Sequence, residues 1–279
     1  MRDLRKAVQA HVEKVAGIPT LSLRRVKEVA QDLGLSRREA EIAVLELGIV
    51  PRRYLRNHGT VGVEGQLALL RSRVAVIGLG GLGGYIVEGL ARMGVGQLVL
   101  VDGDVFVDHN LNRQVLSQEA YLGRPKAEVA GERVRAVNPA VVVTTYVEYA
   151  TRGNLTDILS GADVVVDALD RLPTRLVLQE VAARENVPMV HGAIAGGMGQ
   201  VMTILPGDAG LRALYGDGPV PEQGAEAELG TPPASPMMVA AWQVHETVKL
   251  LTGKGELLRG RLLFLDATAG QIRVFDLGT

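Results

Sequence analysis

Short apolar runs alternate with amphipathic helical stripes over most of this chain. Val74, Ala75, Val76 and Ile77 form a run of the kind that makes a strand buried on both faces. A helix over 83–93 follows, its apolar stripe set by Ile86, Val87, Leu90, Ala91 and Met93, and Gly94 and Gly96 end it. The same alternation predicts strand 98–101, helix 125–137, strand 141–147, helix 154–159, strand 163–167, helix 173–185 and strand 188–191. Such a pattern is an α/β fold, a doubly wound, Rossmann-like and mostly parallel sheet. Beyond it the period changes. Residues 199–205 read as a strand with no helix before it, and 206–235 is a Gly/Pro-rich stretch too long for an ordinary connection, a long crossover loop. A helix from Pro236 to Leu251 comes next, with Met237, Met238 and Trp242 at helical spacing expected in the core. Arg261–Asp266 and Gln271–Phe275 then make a closing antiparallel hairpin.

Ahead of this body, residues 1–50 read as helices throughout: Leu4 to Val15, Leu23 to Leu33, and Arg37 to Leu47. Ser22 and Ser36 stand at N-cap positions, and Gly34 and Gly48 where helices stop. The expectation is a small all-helical accessory domain (1–50), an arm (51–72) and a large α/β domain (73–279). The spacing of the second and third helices resembles a helix-turn-helix. A helical bundle for packing or subunit contact is the favoured account, because Glu39, Glu41 and Glu46 on the third helix are awkward beside phosphates, so nucleic acid is not the expected partner.

Composition narrows the field. No apolar run is long enough to cross a membrane, and the charged first residues are not a secretory signal, so a cytoplasmic location is expected. The chain has no cysteine, which excludes disulfides, cysteine–zinc clusters, Fe–S ligation and any thiol nucleophile. A net charge of −1 hides a basic head, with 12 Lys+Arg against 7 Asp+Glu in residues 1–58, on an acidic body.

The chemistry gathers after the first strand. Gly78, Gly80 and Gly83 supply G-x-G-x-x-G, where backbone can approach a phosphate and a helix start offers free N–H groups. Asp102, about twenty residues on, has the spacing of a ribose-binding carboxylate. Asn110, Arg113 and Gln114 lie in an irregular segment after the second strand, and Lys126 opens the next helix behind Pro125. Two cations beside a glycine loop suit a triphosphate, whose charge must be neutralised as pyrophosphate leaves. The strand ADVVVDALDR ends on Asp167 and Asp170, and Asp170 suits Mg²⁺ near the phosphates. The five histidines show no metal-ligand spacing.

These residues together resemble the ThiF/MoeB/HesA adenylyltransferases, the bacterial form of the ubiquitin-activating superfamily. The segments that carry the resemblance are RYLRN, GLGGLGG, LVDGDVFVDHNLNRQ, GRPKAE, the strand ending DALD, VPMVHGAIAGGMGQ and the final helix with its hairpin, over roughly residues 52–276. The resemblance implies ATP- and Mg²⁺-dependent adenylation of the C-terminal glycine carboxylate of a ubiquitin-like sulfur-carrier protein ending in Gly-Gly, of the molybdopterin or thiamine type. Gly78, Gly80, Gly81 and Gly83 would line the ATP, Asp102 would hold the ribose, and Asn110, Arg113 and Lys126 would grip the triphosphate. Asp104 and Gln114 belong to the same nucleotide-contacting set, and Asp170 would bind Mg²⁺. Arg56 matches an arginine finger that reaches into the other subunit's site, which implies a homodimer completed in trans.

Three departures are legible. Relatives often carry two C-x-x-C pairs for a structural zinc; the first falls here at Leu211–Leu214, so no zinc is expected. Relatives that form a thioester or persulfide use a cysteine in the segment matching 206–235, so this chain can at most adenylate. Arg171 stands where the family often has Asn. The alternatives left open are activation of a tRNA base or a small carboxylate, an NAD-dependent oxidoreductase, and a silent scaffold.

Overall fold

The computed structural model describes residues 5, 8–222 and 224–278. Its N-terminal head is not all-helical. Strands β1 (Glu13–Val15) and β2 (Ile18–Leu21) form an antiparallel hairpin, followed by helices α1 (Leu23–Asp32) and α2 (Arg37–Glu46) and the two-residue strand β3 (Val50–Pro51), parallel to β2. The helix expected from Leu4 to Val15 therefore ends as a strand, and residues 4, 6 and 7 of that stretch lie outside the described residues. The turn explains why. Ala16 and Gly17 have φ of 51° and 82°, the double positive φ of a type I′ two-residue turn, and Val15 pairs Ile18 across it. Both serine caps form: Ser36 makes a full capping box with Glu39, and Ser22 accepts from the Arg25 N–H.

Helix α2 is turned towards the large domain. The arm continues from β3 through a single 3₁₀ turn at Arg52–Tyr54 into helix α3 (His58–Arg71). The Arg38 guanidinium donates to the carbonyls of Leu70 (2.7 Å) and Arg71 (3.2 Å), capping the end of α3, and Glu46 pairs with Arg71. Leu45 packs with Val50, Tyr54 and Leu70.

The large domain is built on β4 (Arg73–Ile77), α4 (Gly81–Met93), β5 (Gln97–Val101), α5 (Lys126–Val137), β6 (Val142–Tyr146), α6 (Leu155–Leu159), β7 (Val164–Asp167), α7 (Leu172–Arg184), β8 (Met189–Ala195) and β9 (Met198–Ile204). Short helices α8 (Leu211–Tyr215) and α9 (Glu226–Leu229) interrupt the expected crossover loop. Helix α10 (Ala234–Thr252) and the hairpin β10 (Arg261–Asp266) and β11 (Gln271–Asp276) complete it. The sheet order is β11-β10-β9-β8-β7-β4-β5-β6, parallel from β6 to β8 and antiparallel from β8 to β11. Chain order reverses beside β4, with β5 on one side and β7 on the other, so the ligand crevice of a doubly wound sheet opens at their carboxyl ends.

Two apolar cores cover the two faces. Ile86, Leu90, Val134 and Val239 pack on one, Ile158, Leu178, Val181 and Leu211 on the other. Leu211 is fully buried, so apolar packing holds the start of α8. On α10 the buried stripe is Val239, Ala240, Gln243 and Thr247, whereas Met237 and Trp242 are exposed; the methionine–tryptophan spacing had placed these two in the core. The polar Gln243 took the inward position because its amide donates to the Asp167 carbonyl at 2.7 Å.

Candidate active site

The glycine turn leaves β4 at Gly78, whose φ is +92°. A Cβ there would lie 2.6 Å from the Ala168 carbonyl oxygen, so the ends of β4 and β7 touch backbone to backbone. Gly80 and Gly81 differ: a Cβ on either meets nothing closer than 3.4 Å, and both line a cavity of about 330 Å³ at the sheet's carboxyl edge. Helix α4 begins here without a side-chain cap, leaving its first N–H groups for whatever occupies the cavity.

Asp102, next after β5, is largely buried and accepts from the N–H of Leu79 (2.7 Å) and of Asp104 (2.8 Å), one on each oxygen. Each oxygen keeps a second lone pair for a hydroxyl donor. Burial pushes its pKa up, against the pull of Lys126 and the two amides. Lys126 is buried, with its ammonium 2.9 Å from Asp104, and the Tyr149 hydroxyl donates to the other Asp104 oxygen at 2.7 Å. Burial alone would raise the Asp104 pKa, but Tyr149 and Lys126 outweigh it and hold the carboxyl below the ordinary range. Stability from this pair is present above the ordinary aspartate pKa and is lost as pH falls through the depressed one. Tyr149→Phe is expected to raise the Asp104 pKa towards the free value of about 3.9. A ¹³C NMR titration of the carboxyl reads this directly, and an unmoved midpoint would show that the hydroxyl does not act on it.

The remaining wall supplies cations and unpaired polar groups. Arg113 is half-buried, its guanidinium donating to the His109 carbonyl (2.8 Å) and to Asn112 (2.9 Å). The buried Gln114 amide has an oxygen with no partner in the cavity wall. Asp170 is exposed, with no ion pair among the described residues. Its loop is clamped from below: Asp167 accepts from the Leu169 N–H (3.0 Å), Arg175 donates to the Leu169 carbonyl (3.1 Å), and the fully buried His191 lies 2.7 Å from Asp167. Burial lowers the His191 pKa against the pull of Asp167, and the ring presents Nδ1 to that carboxylate as a donor. No group of three or more His, Cys, Asp or Glu that could hold a metal occurs among the described residues. The exposed Asp170 carboxylate alone still fits Mg²⁺, an ion that keeps several waters and needs only one or two protein carboxylates.

The structure thus brings Gly78, Gly80, Gly81, Asp102, Asp104, Arg113, Gln114, Lys126 and Asp170 to one cavity. Three other predicted residues stand outside it. Gly83 packs its Cα against the Gly78 carbonyl, and Asn110 is buried with its side-chain oxygen accepting from the Val107 N–H (3.1 Å). Arg56 is exposed on the arm and does not line its own chain's cavity. Sequence reasoning missed Tyr149, whose only signal was an aromatic in the loop after β6, and the His191–Arg175 support beneath Asp167, which had no spacing signal at all. Arg171 pairs with Glu222 and so ties the segment before α9 to the Asp170 loop.

Comparison with known proteins gives a consistent picture. The sequence model of the ThiF family matches residues 54–279. A protein named SAMP-activating enzyme E1, from Haloferax volcanii, is 44% identical over 211 residues, which cover 74% of this chain and 77% of that protein. The sulfur carrier protein adenylyltransferase of Thermus thermophilus is 39% identical over 220 residues, covering 76% of this chain and 81% of that one. The chain spans about half the length of three plant relatives named adenylyltransferase and sulfurtransferase. The crystal structure of E. coli MccB with MccA-N7isoASN superposes with a TM-score of 0.71 at 22% identity, covering 81% of this chain and 71% of that one, a likeness of fold.

Proposed function

The chain belongs to the ThiF family, and from that membership and the cavity's chemistry we infer that it is an adenylyltransferase acting with ATP on the C-terminal glycine carboxylate of a ubiquitin-like sulfur carrier. The observation that carries this is one cavity lined together by an open glycine loop, a buried Lys126, a half-buried Arg113, Asp102 and an unpaired Asp170. A dinucleotide would need neither cation. A triphosphate needs both, because its leaving group departs with the added charge of a broken P–O bond.

The carrier's carboxylate attacks the α-phosphorus, a new carboxyl–phosphorus bond forms, and the bond to the bridging oxygen breaks with its electron pair leaving on pyrophosphate. Gly80 and Gly81 let the phosphates approach the backbone at the start of α4. Asp102 holds the ribose through the lone pairs its two amide donors leave free. Lys126, pre-placed by Asp104, and Arg113 stabilise the charge that collects on the departing oxygens. Mg²⁺ held at Asp170 would supply further charge neutralisation at the phosphates. With no cysteine in the chain, the carrier leaves as acyl-adenylate and sulfur transfer falls to another protein. Arg56, outside its own cavity, acts in the site of a second copy. The acidic Glu39 and Glu46 exposed on α2 are awkward beside phosphates, which favours a protein carrier over a tRNA substrate.

ATP–pyrophosphate exchange with Mg²⁺ and a panel of sulfur carriers ending in Gly-Gly tests this. Exchange that depends on one carrier is the expected result. ATP binding without exchange for any carrier would overturn the carrier assignment, and failure to bind ATP would overturn the adenylation chemistry.

A further inference from the structure

We propose that the N-terminal head is a positioning element for Arg56, acting through Glu41 of α2, which grips the arm on which that arginine stands; the proposal rests on the trans role of Arg56. Glu41 is 1% exposed and sits where head, arm and large domain meet. One of its oxygens accepts from the Tyr54 hydroxyl at 2.7 Å, and the other lies 3.3 Å from Arg53 Nε as an ion pair without hydrogen-bond alignment. Tyr54 is itself fully buried. Its oxygen accepts from Asn138 Nδ2 (3.0 Å), which also donates to the Ala91 carbonyl (3.0 Å), while Arg53 donates to the Val137 carbonyl (3.3 Å). The Tyr54 ring lies against Gly94, where a Cβ would be 2.5 Å away. On the far side of Arg56, Asn57 donates to Gln66 (3.2 Å), which donates to the Met93 carbonyl (2.8 Å).

The arm is therefore pinned at 53–54 and again at 57, and between the two anchors Arg56 stands exposed with no ion pair among the described residues. The lower anchors, Asn138, Ala91 and Met93, belong to the large domain; the upper one belongs to the head. A carboxylate taken out of water costs stability that an apolar side chain of the same volume would not. Here it buys orientation, since only an acceptor can hold the Tyr54 hydroxyl and the Arg53 guanidinium together. Arg52, which donates to Thr20 on β2 at 3.3 Å and pairs with Glu13 on β1, adds a second tie from the head to the same turn.

Mixed dimers separate the head's effect on the finger from any effect on the fold. An Arg56→Ala chain keeps an intact cavity, and a Lys126→Ala chain keeps an intact finger, so a dimer of the two assembles one complete site. ATP–pyrophosphate exchange with a Gly-Gly sulfur carrier should reappear in the mixture. Glu41→Ala placed in the Lys126→Ala chain, which donates Arg56, is expected to remove about 10²-fold of that recovered exchange, the usual cost of a misplacement near 1 Å. The same substitution placed in the Arg56→Ala chain is expected to leave it unchanged, and Glu41→Gln, which keeps an acceptor for Tyr54, should restore part of the loss. Equal losses in the two placements, or no loss in either, would overturn the positioning role. A parent mixture without Glu41→Ala that recovers nothing would overturn the trans role of Arg56 and the proposal with it.

Discussion

Lys126→Ala is expected to lower ATP–pyrophosphate exchange by on the order of 10²–10³-fold, the usual cost of removing one preorganised group that stabilises transition-state charge. Lys126 is 6% exposed and 2.9 Å from Asp104, so its ammonium is already desolvated and aimed before a nucleotide arrives. A charge in that state acts at low effective dielectric and needs no reorganisation as the P–O bond breaks. Removing it leaves Asp104 half in solvent and still bonded by Tyr149, so no buried charge is stranded and the fold should persist. Loss of exchange without loss of melting temperature is therefore the signature. Lys126→Arg should not restore it, because a planar fork does not fit where a buried point charge sat. Asp170→Ala should cost a similar factor for a different reason, loss of the Mg²⁺ ligand, and raising Mg²⁺ should recover part of that loss but none of the Lys126 loss. Exchange near wild type in either variant would remove the electrostatic account of the site.

The sheet was legible because buried parallel strands write themselves as uninterrupted apolar runs, and Val74–Ile77 and Val164–Asp167 are strands β4 and β7 within a residue of expectation. The cavity was legible for a related reason: ligand groups in a doubly wound sheet cluster just after strand ends, so Asp102, Arg113, Lys126 and Asp170 could be named from position alone. The head was misread because Glu13–Val15 closes what reads as a helix, and a type I′ turn with alanine at positive φ carries no Asn-Gly signal. The burial of Glu41 was not legible, because a carboxylate on a helix gives no sign of the tyrosine that will cover it. Met237 and Trp242 show the converse failure, an apolar spacing whose partner face is not within the described residues of this chain. Tertiary contacts decided each of these, and none is encoded locally.

Gly83→Ala and Gly81→Ala, two positions apart on the same turn, are expected to fail in opposite ways. A Cβ on Gly83 would stand 1.9 Å from the Gly78 carbonyl oxygen, which is backbone and cannot step aside without moving the end of β4. Overpacking of that kind costs about 1–3 kcal/mol even where neighbours can yield. Here the neighbour is the turn itself, so Gly83→Ala should melt several degrees lower and lose nucleotide binding with it. A Cβ on Gly81 meets only Pro236 at 3.5 Å and the Arg113 stem at 3.7 Å, ordinary van der Waals contacts. Gly81→Ala should therefore melt with the wild type, yet its methyl group would stand where phosphate oxygens approach the N-terminus of α4, and ATP affinity should fall. Calorimetric melting and ATP titration of the two variants measure both halves. An unchanged ATP affinity in Gly81→Ala would mean that the phosphates do not run along this backbone. An unchanged melt in Gly83→Ala would mean that β4 and α4 are not held at the separation a glycine alone permits. The two glycines of one motif thus answer different questions, one about the fold and one about the ligand.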